Sequence, residues 1–332
     1  MAAYRVLVIT NLWPTADDPG YGSFVQAQME SLRPLAVDYD VLFINGRASR
    51  WNYLRAIPEM RRRQRAGRYD LVHAHFGLSG WVARCQLGAP VVVSFMGDDV
   101  LGRFERSGRV TLYGRLLQAS SLVLARLVRA AIVKSAGMKA ALRLASARVI
   151  PNGVDLDLFR PLGQAEARRE LGLDPEKKLV LFPYNPAEPR KRFDLIEVAV
   201  ERARQDVPGL EILHARGVPR RRMPLYMNAA DVFVLASLAE GSPNALKEAM
   251  AVNLPLITVD VGDAAERIGS AEGCYLVPRE AEAIAARIVE VCRKGARSRG
   301  REAIAHLSIE NVARRIVEVY AAAAASSSPP RL

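Results

Sequence analysis

The order of segments predicts an α/β protein with two parallel sheets in series. Three observations carry that expectation. Short β-branched apolar runs alternate with longer amphipathic stretches along most of the chain. The alternation stops at Pro151-Asn152-Gly153 and restarts near Leu179. The 332 residues suit two domains of ordinary size. In open sheets of this kind ligands bind beyond the carboxyl ends of the strands. Two such layers facing across a cleft suit a two-substrate enzyme.

In the first half, residues 5–10 read as a strand, followed by a Pro/Asp/Gly loop over 11–22 and a helix over 23–35. A short strand (41–44), an arginine-rich helix (51–65), a strand (71–75), a helix (79–87) and a strand (91–95) follow. Residues 109–127 read as a long helix, and 131–134 and 148–150 as strands either side of a short helix. After 151 comes a polar stretch over 162–178. The second half then gives strands at 179–182, 210–214, 231–235, 256–259 and 274–277. Helices are expected at 193–205, 243–252 (with proline in its first turn), 281–294 and 309–324. Residues 326–332 read as a disordered tail.

Half the residues are hydrophobic and a quarter charged, which excludes a disordered, collagenous or mucin-like chain. Cys85, Cys274 and Cys292 are odd in number and lack metal-ligand spacing, so no disulfide framework or zinc site is expected and a reducing compartment is. The opening MAAYRVLVIT reads as a strand rather than a signal peptide, and no uncharged apolar run approaches about 18 residues. The net charge of +12 is uneven: residues 1–160 hold 22 basic and 12 acidic side chains, residues 161–332 hold 25 and 23. A basic first half attracts phosphates, acidic glycans, anionic lipid or nucleic acid; a solvated arginine-rich surface is the plain alternative.

The segment DVFVLASLAEGSPNALKEAMAVNLPLITVD, residues 231–260, carries chemistry. Gly241 would let the backbone approach a ligand closely. Ser242 is a natural N-cap, and the backbone N–H groups of Asn244, Ala245 and Leu246 would form an anion site at a helix N-terminus. Glu240 precedes that site and Glu248 lies in the helix that follows. Carboxylates accept hydrogen bonds from vicinal diols, so this pair around an anion nest suits a phosphorylated sugar. The alternative is that Glu240 only complements the helix dipole and Glu248 is solvated.

Glu240 and Glu248, with EGSPNALKEAMA around them, resemble the E-x7-E signature of retaining family four (group 1) glycosyltransferases of the GT-B fold. PGYGSFVQAQ (with Gly20 and Gly22), DLVHAHFGLSG, VVVSFMGDDV and VIPNGVDLDLFRP resemble further parts of that family, so the resemblance spans essentially the whole chain. It implies an acceptor-binding domain over 1–155, a nucleotide-sugar-binding domain over 156–310 and a terminal helix (311–325) crossing back to the first domain. Glu248 would hold the ribose hydroxyls and Glu240 would lie beside the donor sugar. Lys191, in NPAEPRKRFD, would neutralise the departing diphosphate, with Arg190 or Arg192 as a second cation. A solvated helix start is the alternative for that basic run, although cations are disfavoured there by the dipole. The implied reaction is substitution at the anomeric carbon with retention. Neither a metal nor another cofactor is expected.

The sequence also departs from the family. Met96 stands where many relatives carry histidine, and His75 is the substitute. His73 and His75 are expected to point to opposite faces of their strand, with His75 towards the cleft. Pro186 replaces a usual arginine. Asp98-Asp99 would either contact sugar, through Asp98, or cap the turn after the fourth strand. Residues 214–231 look too short for the usual turn and helix–strand unit. The basic helix from Trp51 to Arg68, with Trp51, Tyr53, Leu54, Ile57 and Met60, and the stretch from Arg103 to Arg129 suggest docking on an anionic membrane. An ordinary amphipathic helix is the alternative. The resulting expectation is a cytoplasmic enzyme, peripheral on the inner face of the cell membrane, that glycosylates a glycan or polyprenyl-linked acceptor in cell-surface polysaccharide synthesis. A non-catalytic partner subunit, a sugar-nucleotide epimerase and a nucleic-acid-binding protein are the competing readings. The last lacks any zinc-finger, RNP or helix-turn-helix pattern.

Overall fold

Strand β1 (Tyr4–Thr10) is buried on both faces from Val6 onward, as a central strand of a covered parallel sheet must be. The computed structural model describes residues 4–67, 69–86, 88–105 and 107–325. Expectations for Arg68, Leu87, Arg106 and residues 326–332 fall outside them. The chain divides into two units. The first takes Met1–Arg103, Val110–Gly153 and Ile309–Leu332, and the second takes Phe104–Arg109 and Val154–Ser308.

In the first unit β1 is joined by β2 (Val37–Phe43), β3 (Leu71–His75), β4 (Val91–Ser94), β5 (Ala130–Val133) and β6 (Arg148–Val149). The order is β2-β1-β3-β4-β5-β6, every pairing parallel. Helices α1 (Ser23–Glu30), α2 (Trp51–Gly67), α3 (Gly77–Arg84), α4 (Asp98–Leu101), α5 (Leu112–Leu127) and α6 (Ala136–Leu142) connect the strands. The helix expected over 23–35 stops at Glu30 and resumes as a 3-10 turn at Arg33–Leu35, because Pro34 lacks the N–H a continuing helix needs. The long helix starts at Leu112 rather than 109, where Thr111 Oγ1 accepts from Gly114 N at 3.0 Å.

The second unit holds β7 (Lys178–Phe182), β8 (Leu210–His214), β9 (Val232–Leu235), β10 (Leu256–Thr258) and β11 (Cys274–Leu276). Their order is β11-β10-β9-β7-β8, again all parallel. The helices are α7 (Gln164–Leu171), α8 (Phe193–Ala203), α9 (Met223–Ala229), α10 (Asn244–Ala251), α11 (Ala264–Ile268), α12 (Ala281–Lys294) and α13 (Gly300–Ile304). Sequence reading missed α7 because its outer face is almost wholly charged. Its anchor is Arg168, buried and paired to Asp231 at 2.7 Å. Between β8 and β9 there is no strand among the described residues, but a 3-10 turn (Arg220–Arg222) and α9 occupy the gap, so that segment is less empty than expected.

One face of the second sheet is covered by α8 and α12 through Ile196, Val200, Ile284 and Ile288. The other is covered by α9, α10, α11 and α13 through Met227, Leu246, Met250, Ile268 and Ile304. The last helix, α14 (Ile309–Ala325), belongs to the first unit. It lays Val312, Ile316, Val319 and Tyr320 on Val6, Val8, Leu71, Val92 and Ile132. In both sheets the first strand lies between the second and the third. The strand order therefore reverses between β1 and β3 and between β7 and β9. The crevice at the carboxyl ends of such a pair is where ligands bind in open α/β sheets.

Candidate functional site

Two loops leave the carboxyl ends of β7 and β9 at the second unit's reversal point. The loop after β7 contains Tyr184 and ends in a 3-10 turn, Pro189–Lys191, opened by proline. Arg192 then adopts φ 52°, a left-handed conformation unfavourable for a side-chain-bearing residue, before α8 begins. Hydrogen bonds fasten the two loops together: Leu238 N donates to Arg190 O at 2.8 Å, and Arg190 Nη1 to Ala239 O at 2.8 Å.

The sequence reading placed Lys191, Arg190 and Glu240 at one site, and the structure brings them together. Lys191 Nζ lies 2.6 Å from Glu240 Oε1, and Arg190 Nη1 2.9 Å from Glu240 Oε2. One carboxylate therefore takes both cations, and Glu188 takes Arg190 as well, at 2.8 Å. Lys191 Nζ also sits 3.6 Å from the centroid of the Tyr184 ring, a cation–π contact. Burial alone would raise the Glu240 pKa, but the two cations hold it down at about 2. Burial lowers the Lys191 pKa, and Glu240 partly restores it. Arg192 is turned aside, paired with Asp194 at 2.9 Å.

Helix α10 starts three residues after Gly241. The backbone N–H groups of its first turn, at Asn244, Ala245 and Leu246, are those the helix itself cannot pair. Ser242 is not the cap expected of it. The N-cap is Pro243, which also moves the proline out of the helix, and Ser242 Oγ accepts from Lys247 Nζ at 3.0 Å. Lys247 is fully buried, which brings its pKa down to about 8 despite Asp263 and Glu248 nearby. Glu248 is half-buried on α10; burial raises its pKa while Arg220 and Lys247 oppose the rise. Arg220 is held by stacking 5.2 Å over Phe159 and by Asp155 at 3.7 Å, with its Nε buried and unpaired. Gly262, after β10, closes the far side. Its φ is +63°, and a Cβ there would lie 2.9 Å from the carbonyl oxygens of Glu240 and Gly241.

Tyr184, Arg220, Lys247 and Gly262 escaped the sequence reading. Arg220 is one of three consecutive arginines, which reads as a solvated run. The signal available for Tyr184 was its position two residues beyond a buried strand.

The remaining candidates lie in the first unit. Gly22 has φ 68° and begins α1, and a Cβ would meet the Leu12 carbonyl carbon at 2.2 Å. Gly20 lies in the same loop, its carbonyl accepting from Ser23 N. Asp99, not Asp98, is the cap: its carboxylate accepts from Met96, Gly97 and Gly77 N–H groups, each at 2.9 Å, while half-buried Asp98 opens α4.

The two histidines need a larger correction. Residues two apart on a strand share a face, and the His73 and His75 ring centroids are 4.2 Å apart. Both are fully buried, so His75 does not face outward. His75 Nε2 lies 3.2 Å from Gln28 Nε2, and its Nδ1 has no partner. His73 bridges Ser94 Oγ (2.9 Å) and Tyr320 Oη (2.7 Å). Burial lowers both imidazoles, His73 to about 3.

Comparison with known proteins now bears on this arrangement. Residues 2–158 match the family described as Glycosyltransferase Family 4, and residues 188–294 that described as Glycosyl transferases group 1. A putative teichuronic acid biosynthesis glycosyltransferase of Bacillus subtilis is 25% identical over 347 residues, 85% of this chain and 87% of that one. Sucrose-phosphate synthase of Thermosynechococcus elongatus superposes with a TM-score of 0.80 at 21% identity, over 97% of this chain and 99% of that one. The HepE protein of Anabaena, solved in complex with UDP-glucose, gives 0.68 at 16% identity over 96% and 99%. These likenesses establish the two-sheet GT-B fold.

Proposed function

Because this chain belongs to the group 1, family 4 glycosyltransferases, we propose that it moves a sugar from a nucleoside-diphosphate sugar to a glycan or lipid-linked acceptor with retention. The observation that carries the donor side is the Lys191–Glu240–Arg190 cluster at the strand-order reversal, immediately before the α10 N-terminus. Both elements favour negative charge that grows as the diphosphate leaves. In this reading Lys191 exchanges its contact with Glu240 for a diphosphate oxygen. Arg190 keeps Glu240 ionised beside the sugar. Glu248, steered by Arg220, accepts hydrogen bonds from the ribose diol.

The step itself balances simply. The bond from the anomeric carbon to the diphosphate oxygen breaks, and the acceptor oxygen bonds that carbon from the same face. The acceptor proton passes to the departing diphosphate. The protein positions and neutralises. The B. subtilis relative is named for teichuronic acid biosynthesis, which supports polysaccharide synthesis as the process. In this reading the product is a cell-surface polysaccharide and the enzyme works on the cytoplasmic side of the membrane.

A melting panel with UDP, GDP, ADP, TDP and CDP tests the donor side. At about 100 times its dissociation constant a ligand adds about 2.7 kcal/mol to stability. One diphosphate should raise the melting temperature of the wild type and not of Glu248→Ala. No shift with any of the five would leave a non-catalytic partner subunit. NMR of the product's anomeric proton decides retention.

A further inference from the structure

Helix α5 is apolar on two sides, and the first unit covers only one. Its inner face buries Leu117, Ser121, Leu124 and Ala125. Leu112, Leu116, Val123 and Leu127 stand outside, 74%, 63%, 53% and 47% exposed. At helical geometry these four fall within an arc of about 60° and run for about 22 Å. A stripe of that kind on a soluble surface marks something it binds. Arg50 lies 4.2 Å over the Tyr113 ring, which brings the start of α2 to the start of α5. Trp51 (68% exposed) and Leu54 thus extend the patch at that end.

The α2 helix itself contributes less than its sequence suggested. Met60 is fully buried, Tyr53 and Ile57 pack on the core, and Arg62 and Arg63 are paired to Glu59. Exposed basic side chains stand instead along α5 and at its ends. Residues 106–154 contain nine lysines and arginines and no aspartate or glutamate. Arg103, Arg109, Arg115, Arg126 and Arg129 are all exposed. Arg115 and Arg126 flank the stripe along one edge.

Charge decides the occupant. A second copy docked symmetrically on this face would set arginine against arginine. An anionic bilayer offers apolar depth to the leucines and phosphates to the rim. No helix among the described residues is long and apolar enough to cross a membrane, so the contact is with its surface. We propose that the arginine-rimmed stripe of α5, extended by Trp51 and Leu54, is a docking surface for an anionic lipid bilayer. The helix lies along the membrane plane, its leucines at the headgroup boundary and its arginines on lipid phosphates. This surface does not depend on the donor reading, because binding is measured without turnover.

The test is co-sedimentation of the full chain with vesicles of phosphatidylcholine alone and of phosphatidylcholine with phosphatidylglycerol in equal parts. Partitioning to the anionic vesicles should exceed that to the neutral ones by about tenfold or more and fall as salt rises. The double variant Leu112→Glu, Leu116→Glu should lose that excess, with the melting temperature and any diphosphate-induced shift unchanged. Arg115→Gln with Arg129→Gln should weaken binding and flatten its salt dependence. Equal sedimentation with both vesicles overturns the proposal, and so does undiminished binding by the leucine variant. A lipid-indifferent dimer that the leucine variant splits, seen by light scattering, also overturns it and gives the face to a second copy.

Discussion

Glu240 holds two cations with two oxygens, so it is the residue whose removal changes most. Glu240→Gln leaves buried Lys191 without its counter-charge and Arg190 with Glu188 alone, a change that costs about 3–5 kcal/mol. Urea unfolding should show that loss, and the double variant Lys191→Met, Glu240→Gln should lose less than the two singles summed. On the proposed donor reading, Lys191→Ala alone is a catalytic test. Removing one fixed charge aimed at a developing anion typically lowers kcat about 10²- to 10³-fold, and steady-state transfer assays should show KM moving far less. Glu240 was legible as an acidic group beside a glycine and a helix start, whereas Lys191 and Arg190 were legible only through the resemblance to the glycosyltransferase family. Ser242 misled because a capping hydroxyl and a lysine acceptor look alike in sequence. Only the buried Lys247 decides between them.

At the scale of elements, the ties between neighbours matter more than propensity. Tyr320 on α14 and Ser94 on β4 hold the two nitrogens of His73 on β3. Tyr320→Phe strips one partner from a buried imidazole and should cost about 1–3 kcal/mol, read as a lower denaturation midpoint at neutral pH. Gly22→Ala combines a left-handed φ with a 2.2 Å approach to the Leu12 backbone and should destabilise the loop after β1. Proteolysis near residues 11–22, faster than in the wild type, would report it. Ten of the eleven described strands were readable from their apolar runs almost to the residue, whereas β2, expected at 41–44, begins at Val37 because Asp38 and Asp40 break up its apolar run. Helices were less so. Helix α7 hides a single buried arginine beneath a charged surface, and α1 is cut short by a proline whose effect on the preceding turn is local.

Across the molecule, stability should fall in mild acid. An unfolded histidine titrates near pH 6.5, whereas folded His73 stays neutral to about 3 and His75 is lowered as well. Above pH 6.5 neither state is charged, and no penalty arises. Below it the unfolded chain binds protons that the buried rings refuse, so stability drops as pH falls, by about 1.4 kcal/mol per pH unit for each such histidine. Lys134 nearby adds to the refusal. Asp99, raised by burial to about 6, works the other way between about pH 4 and 6, because there the folded carboxyl keeps a proton the unfolded one has lost. Urea midpoints at pH 7.5 and 5.5 should differ in the wild type and differ less in His73→Gln, where His75 alone still refuses its proton. The sequence alone could locate these histidines but set them on opposite faces, where period two puts them on one.

Helix α14 supplies Val312, Ile316, Val319 and Tyr320 to the core of the first unit, although it comes after the second unit's residues 154–308. On the ribosome, the sheet that is translated first is therefore completed last. Until residue 309 and its successors emerge, Val6, Val8, Leu71 and Val92 lack their cover, and the nascent chain carries an open apolar face through the synthesis of everything between. A stop codon anywhere before α14 would leave that face uncovered for the lifetime of the product, as a substrate for chaperones and proteases rather than a half-sized enzyme.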